Sequence, residues 1–134
     1  MTAHDDGGRG RIDLDDLQMA VASGAVDTVI CAFPDLYGRL MGKRLDASFF
    51  VAHIDEGAHA CDYLLTVDME MEPIDGYEFA SWMQGYGDVR LVPDLTTARV
   101  LSWLDRTAFV MCDLQAHDGA PVEVAPRTML RRQV

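Results

Sequence analysis

The residues best suited to chemistry lie in one stretch, Asp75 to Val100, which opens as a loop rich in glycine, aromatic and acidic residues. Asp75 and Trp82 lie seven residues apart on this loop, with Glu78 between them. A carboxylate attracts an ammonium ion and accepts its N–H hydrogen bonds, and an aromatic ring attracts the same ion through its π face. A carboxylate could also take a proton from that ion and free a nucleophilic amine. We therefore predict Asp75 as a catalytic group, with Trp82 and Glu78 as substrate-binding groups.

Other interpretations of the polar residues remain open or fail. Solvated loop charges explain the acidic cluster about as well as a cation site does; its members are Glu70, Glu72, Asp75 and Glu78. The four histidines and three cysteines match no metal-binding spacing, so we predict no metal site. The run 38–43 has the wrong glycine spacing for a phosphate loop, and Arg44 follows it where Ser or Thr is needed. Gly85-Tyr86-Gly87 has no strand–helix frame of the dinucleotide-binding type.

Composition narrows the class of protein. The chain has 134 residues, about one domain, and a net charge of −11, which disfavours binding to nucleic acid and to anionic membranes. Each of the three cysteines has apolar neighbours and none forms a C-x-x-C pair, which predicts buried, reduced thiols. The polar N-terminus has no apolar signal region. We predict a cytoplasmic protein.

The first half of the chain has clear local signals. Residues 1–12 are rich in glycine and charge and are predicted to be disordered. Asp13 can cap a helix over 14–23 that Gly24 would end. Residues 26–33 and 39–45 are predicted to form a β-hairpin around the turn 34–38, followed by a short helix within 46–56.

The second half is predicted to be mostly strands separated by loops. The candidate strands are 61–69, 89–92 and 108–114; residues 97–104 are another extended segment, and 121–124 could pair back as a final short strand. Pro126 can begin a helix. Five to six short strands with one to three helices, in no regular βαβ order, predict an α+β domain with a mixed or antiparallel sheet.

Four segments, taken in order, resemble one known family. They are VICAFPDLYGRLMGKR (29–44), Asp75 through Trp82, DVRLVPDLTTAR (88–99), and Cys112-Asp113-Leu114 followed by Ala125-Pro126-Arg127. Together they are similar to the N-terminal β-grasp domain of glutamine synthetases and related γ-glutamyl-amine ligases. The resemblance covers roughly residues 13–134 and implies a β-grasp domain over 13–125. Residues 126–134 would begin a helix leading into an absent catalytic domain.

The resemblance implies a function for the loop. In the family, ATP phosphorylates the γ-carboxylate of glutamate, and ammonia or an amine displaces the phosphate. The N-terminal domain lends its Asp loop to the active site of a neighbouring subunit in a homo-oligomeric ring, so Asp75 would bind and deprotonate the nitrogen and Trp82 would wall the pocket. The ligands for ATP and for Mg or Mn lie in the C-terminal domain, so we expect no cofactor and no ligase activity in this fragment alone.

Two rival functions stay open at this point. A stand-alone β-grasp module could use the same loop to bind or regulate a protein without chemistry. A natural truncated paralogue could instead enter the rings of a full-length ligase and inhibit them.

Overall fold

The computed structural model describes residues 10–80, 83 and 85–134 and contains three α-helices and six β-strands in that part of the chain. The helices are α1 (Leu14–Ala22), α2 (Ala47–Ala52) and α3 (Pro126–Gln133). The strands are β1 (Thr28–Pro34), β2 (Leu40–Asp46), β3 (Ala58–Cys61), β4 (Asp88–Pro93), β5 (Arg99–Val100) and β6 (Thr107–Gln115). In these ranges no helix is both long and apolar enough to cross a membrane.

The strands form one mixed sheet in the order β2-β1-β6-β4-β3, with β5 also paired to β6. β1 and β6 lie side by side in parallel, whereas every other strand pair is antiparallel. β1 and β2 form the predicted hairpin, with Thr28 opposite Asp46 and Pro34 opposite Leu40. The predicted α+β class is confirmed, since a mixed sheet with three helices is consistent with a β-grasp domain.

The core lies against one face of the sheet. Side chains alternate along β6, where Val110, Cys112 and Leu114 are buried and the residues between them are only half-buried. Such a period of two is expected for a strand with one face turned to the core. The buried residues Leu17 of α1 and Phe50 of α2 belong to the same hydrophobic cluster. The two helices therefore share their core with the central strands.

The beginning of α1 follows the predicted capping chemistry. The Asp13 carboxylate accepts a hydrogen bond from the Asp16 N–H at 2.8 Å, and Gly24 adopts φ +79°, the left-handed conformation that glycine favours after a helix. Of the segment predicted to be disordered, residues 1–9 lie outside the described residues. Ile12, by contrast, is buried, and its N–H donates to the Ala98 carbonyl. The folded chain thus includes residues 10–12.

Three predicted strands are wrong in extent. β3 occupies 58–61, and the predicted strand over 61–69 becomes a 3-10 turn at 62–65 because β4, its partner, begins only at Asp88. The predicted strand 97–104 shrinks to β5, since a 3-10 turn at 95–97 precedes it and bends follow it. The predicted final strand 121–124 is reduced to one bridge, between Pro121 and Gln115.

The three cysteines are free thiols. Cys31 on β1 and Cys112 on β6 are buried, as predicted, whereas Cys61 at the end of β3 is only half-buried. The hydrogen bond between the two buried thiols, reinforced by burial, raises the pKa of Cys112. Cys112 therefore stays protonated at neutral pH and is a poor nucleophile.

Candidate functional site

Asp75 lies at the start of an exposed loop. Residues 75–80 and 85–87 belong to no helix or strand, and the side chains of Asp75 and Glu78 are exposed. The Asp75 carboxylate has no hydrogen bond or ion pair with any other residue of the described ranges. It is therefore available to a ligand or to a second protein surface.

A small hairpin immediately precedes Asp75. Val67 and Pro73 form an antiparallel bridge, and the Ile74 N–H donates to the Thr66 carbonyl at 2.8 Å. Asp68 closes the turn, since its Oδ1 accepts hydrogen bonds from the backbone N–H groups of Glu70 (2.8 Å) and Glu72 (3.0 Å). Asp75 follows directly after the last hydrogen bond of this hairpin, so the start of the loop has a defined position.

The 66–74 hairpin is attached to the sheet by an arginine in the β1–β2 turn. Arg39 donates from Nε to Asp35 Oδ2 (3.0 Å), and from its two terminal nitrogens to the carbonyls of Met69 and Asp68 (2.9 Å each). Asp35 is itself 2% exposed, and its Oδ1 accepts from the N–H groups of Tyr37 and Arg39. The buried carboxylate thus fixes the turn and orients the guanidinium that holds the hairpin. We call Asp35 and Arg39 the turn anchor.

A second ionic cluster fixes α3 against the end of the sheet. Arg127 contacts Asp94 at 2.6 Å and Asp113 at 3.0 Å, and Arg131 contacts the same two carboxylates at 3.3 and 2.8 Å. Asp94 follows β4, and Asp113 lies within β6. The cluster therefore unites, around the start of α3, three sequence segments that are far apart along the chain.

The pKa values of Asp94 and Arg127 favour the charged forms of both side chains. Burial raises the pKa of Asp94, but hydrogen bonds from Thr96 and the charge of Arg127 outweigh burial and lower it overall. Burial lowers the pKa of Arg127, but its contacts with Asp113 and Asp94 raise it overall. Asp94 and Arg127 therefore form an ion pair at neutral pH, with a structural rather than an acid–base role.

The structure describes only part of the predicted site. Trp82 lies outside the described residues, so the predicted pairing of its ring with Asp75 stays a prediction. Glu78 lies on the same exposed loop as Asp75, and Glu70 lies in the turn of the preceding hairpin. Across ranges 10–80, 83 and 85–134, no group of three or more His, Cys, Asp or Glu side chains could hold a metal ion.

Sequence reasoning missed both ionic clusters, although it had singled out the segments that contain them. Asp35 and Arg39 stand four residues apart across a turn, a spacing at which an aspartate commonly caps backbone N–H groups. That signal could have predicted their local pairing. The reach of Arg39 to Asp68 and Met69, about thirty positions along the chain, has no comparable local signal.

Comparison with known proteins decides the family. No family model matches the chain. A γ-glutamylethanolamide synthetase of Streptomyces coelicolor is 46% identical over 124 residues, covering 92% of this chain and 27% of that protein. A glutamate–isopropylamine ligase of a Pseudomonas species is 35% identical over 111 residues, covering 81% of this chain and 24% of that protein. The chain belongs to the glutamine synthetase family.

The solved structure of a glutamine synthase homologue shares the fold of this family member. Its TM-score is 0.68 at 24% identity, and the match covers 81% of this chain and 26% of that one. This chain spans about a quarter of the length of the two relatives described above. It corresponds to the N-terminal domain of such ligases.

Proposed function

We propose that this domain supplies an ammonium- or amine-binding loop to the active site of a glutamine-synthetase-like ligase. The ligase would join glutamate to the nitrogen at the expense of ATP, as part of cytoplasmic nitrogen metabolism. The exposed, unpaired carboxylate of Asp75 carries the proposal, since within the described residues it has no structural partner.

Asp75 would act on the positively charged form of the acceptor nitrogen. Its carboxylate accepts hydrogen bonds from the N–H groups, holds the cation by charge, and removes one proton to leave a nucleophilic lone pair. Glu78, exposed on the same loop, would add negative potential, and Trp82 would wall the pocket by its predicted position. The net charge of −11 favours a cationic ligand over an anionic one.

The acceptor is proposed to be a small primary amine rather than ammonia. The two relatives described above carry names that refer to ethanolamide and isopropylamine products or substrates. Two sequence features also look more like the amine-ligating members of the family than the ammonia-specific ones: Gly85-Tyr86-Gly87-Asp88 after Trp82, and the run Gly42-Lys43-Arg44.

The remaining reactants would bind elsewhere. The residues that the structure describes do not fit a metal ion, so we derive no step through Mg or Mn here. Glutamate, ATP and the metal are proposed to bind a C-terminal catalytic domain. The loop would reach the active site of a neighbouring subunit in a homo-oligomeric ring.

A chimaera tests the proposal. Residues 1–134 replace the matching region of the Streptomyces coelicolor synthetase, and amide formation is measured with ATP, glutamate and ethanolamine. We expect an active chimaera that loses roughly 100- to 10,000-fold in amide formation in Asp75→Asn, the range for losing a general base. Glu56→Gln is the matched control, because it removes one exposed carboxylate outside the loop and its preceding hairpin and should change activity less than about twofold. An active chimaera that tolerates Asp75→Asn would contradict the proposal.

Mixed rings test the contribution to a neighbour. Asp75→Asn chimaeras are mixed with chimaeras whose catalytic domain is inactive, under conditions that allow subunits to exchange. Rings with shared active sites should regain activity, because some sites combine an intact loop with an intact catalytic domain. Rings whose sites each draw on a single subunit should stay inactive at every mixing ratio.

One observation favours the rival function, a protein-binding module without catalysis. A groove of about 360 Å³ lies over the β1–β2 face, bordered by Leu40 and Arg44 and by Trp103, whose side chain is 75% exposed. A correctly assembled chimaera that forms no amide would support this rival and overturn the ligase proposal.

A further inference from the structure

The turn anchor lies between the rigid sheet and the loop that carries Asp75. Asp35 directly follows β1, and Arg39 directly precedes β2, so both belong to a hairpin paired along its whole length. Asp35 and Arg39 are held to one another by the 3.0 Å contact between Nε and Oδ2 and by the Arg39 N–H, which donates to Asp35 Oδ1. The Tyr37 N–H donates to the same Oδ1 and fixes the carboxylate further. The anchor therefore has little freedom to move relative to the sheet.

The guanidinium transmits this position to the 66–74 hairpin. Its two terminal nitrogens donate to adjacent carbonyls, those of Asp68 and Met69, at the entrance to the turn. A planar guanidinium can make these contacts together with the Asp35 contact, whereas a lysine ammonium is a single point that cannot span them. The turn itself is tight, with Met71 in the left-handed region at φ 69°.

We propose that Arg39 is a positioning residue for Asp75, acting through the 66–74 hairpin, and that Asp35 orients Arg39 for this role. The inference rests on the proposed function of Asp75. Arg39 does not contact substrate in this account. Its role is to hold the start of the loop, because Asp75 follows directly after the Ile74 N–H to Thr66 carbonyl hydrogen bond that closes the hairpin.

Hydrogen exchange of the 134-residue chain tests whether Arg39 holds the 66–74 hairpin in place. We expect Arg39→Lys to accelerate exchange of the hydrogen-bonded amides of Glu70, Glu72 and Ile74 by at least tenfold, with β6 amides unchanged. Arg106→Lys is the matched control, since Arg106 donates to the Gly24 carbonyl at the opposite end of β1. Unchanged exchange in the 66–74 hairpin, or equal acceleration in both variants, would overturn the inference.

Steady-state kinetics of the chimaera test whether Arg39 positions Asp75 for reaction with the amine. We expect Arg39→Lys to lower kcat/KM for the amine by roughly 10- to 100-fold, the scale of a misplacement of about 1 Å. The KM values for glutamate and ATP should stay within about twofold, a split that general destabilisation would not produce. Asp68→Ala should likewise lower kcat/KM for the amine while leaving the KM values for glutamate and ATP unchanged. It removes the carboxylate that closes the 66–74 turn and leaves the contact between Asp35 and Arg39 intact.

The outcomes separate the two proposals. If Asp75→Asn abolishes amide formation while Arg39→Lys and Asp68→Ala leave the amine kcat/KM unchanged, the positioning role is wrong and the proposed function stands. If Asp75→Asn has no effect in an active chimaera, the proposed function is wrong, and so is a role for Arg39 in catalysis.

Discussion

Three arginines of α3 provide a graded test of how this helix is held. Arg127, Arg131 and Arg132 each form ion pairs, but their side chains are 22%, 59% and 56% exposed. Replacing each by alanine makes a similar change in helix propensity. Differences between the three variants therefore report the ion pairs.

The expected losses follow from burial and partners. Arg127 donates to Asp94 and Asp113, which are 16% and 26% exposed, and hydrogen bonds to charged groups contribute about 1.5–3 kcal/mol each. Because Arg131 still contacts both carboxylates, we expect Arg127→Ala to lower the free energy of unfolding by about 2–3 kcal/mol rather than by the full sum. Arg131→Ala should cost about 0.5–1 kcal/mol, as for an exposed pair.

Arg132 is the control. Its partner Glu123 is 61% exposed, so Arg132→Ala should cost no more than about 0.5 kcal/mol. Urea unfolding followed by circular dichroism gives all three values from the shift in midpoint at constant m. Equal losses in the three variants, or a loss for Arg127→Ala no larger than for Arg132→Ala, would refute the assignment of a structural role to the partly buried cluster around Arg127.

Three further predictions concern pH, backbone and thiols. Folding lowers the pKa of Asp94, so the charged carboxylate stabilises the folded state at pH values above about 3.9, the pKa of Asp in the unfolded chain. This stabilisation is lost as the pH falls through the lowered pKa of the folded state. When urea unfolding is repeated at decreasing pH, the free energy of unfolding should therefore drop less below about pH 4 in Asp94→Asn than in the parent. Gly57→Ala should destabilise the fold by at least about 2 kcal/mol, because φ is +68° and a Cβ would lie 2.2 Å from the Leu91 carbonyl oxygen of β4. Gly38→Ala is the control: φ is +78° but the space around it is open, so the loss should be only about 1 kcal/mol. Thermal unfolding measures both values. An alkylating reagent should modify Cys61 in the native chain while Cys112 reacts only after denaturation, measured by mass spectrometry.

The elements that sequence predicted well are those whose signals are local. Asp13 and Gly24 mark the two ends of α1 by capping chemistry within a few residues, and the turn at 34–38 marks the hairpin of β1 and β2. The end of β3 at Cys61 could not be predicted in this way. It depends on where β4 begins, 27 positions later at Asp88.

The candidate site also combines a residue that the sequence predicts with contacts that it does not. Asp75 was predicted from residue type and from the resemblance, and its place on an exposed loop agrees with that prediction without testing its role. The contact between Asp94 and Arg127 spans 33 positions. It joins two of the segments that carry the family resemblance, 88–99 and Ala125-Pro126-Arg127. Nothing in either segment alone specifies its partner.

The most direct test of the central claim separates the two halves of the ligase reaction in the chimaera. Asp75 is proposed to act on the amine and not on ATP or glutamate. In Asp75→Asn, a single turnover should therefore form ADP from ATP and glutamate within about threefold of the parent rate, while amide formation falls by at least about 100-fold. Equal rates of amide formation in parent and variant, or equal losses of ADP and amide formation, would contradict the claim.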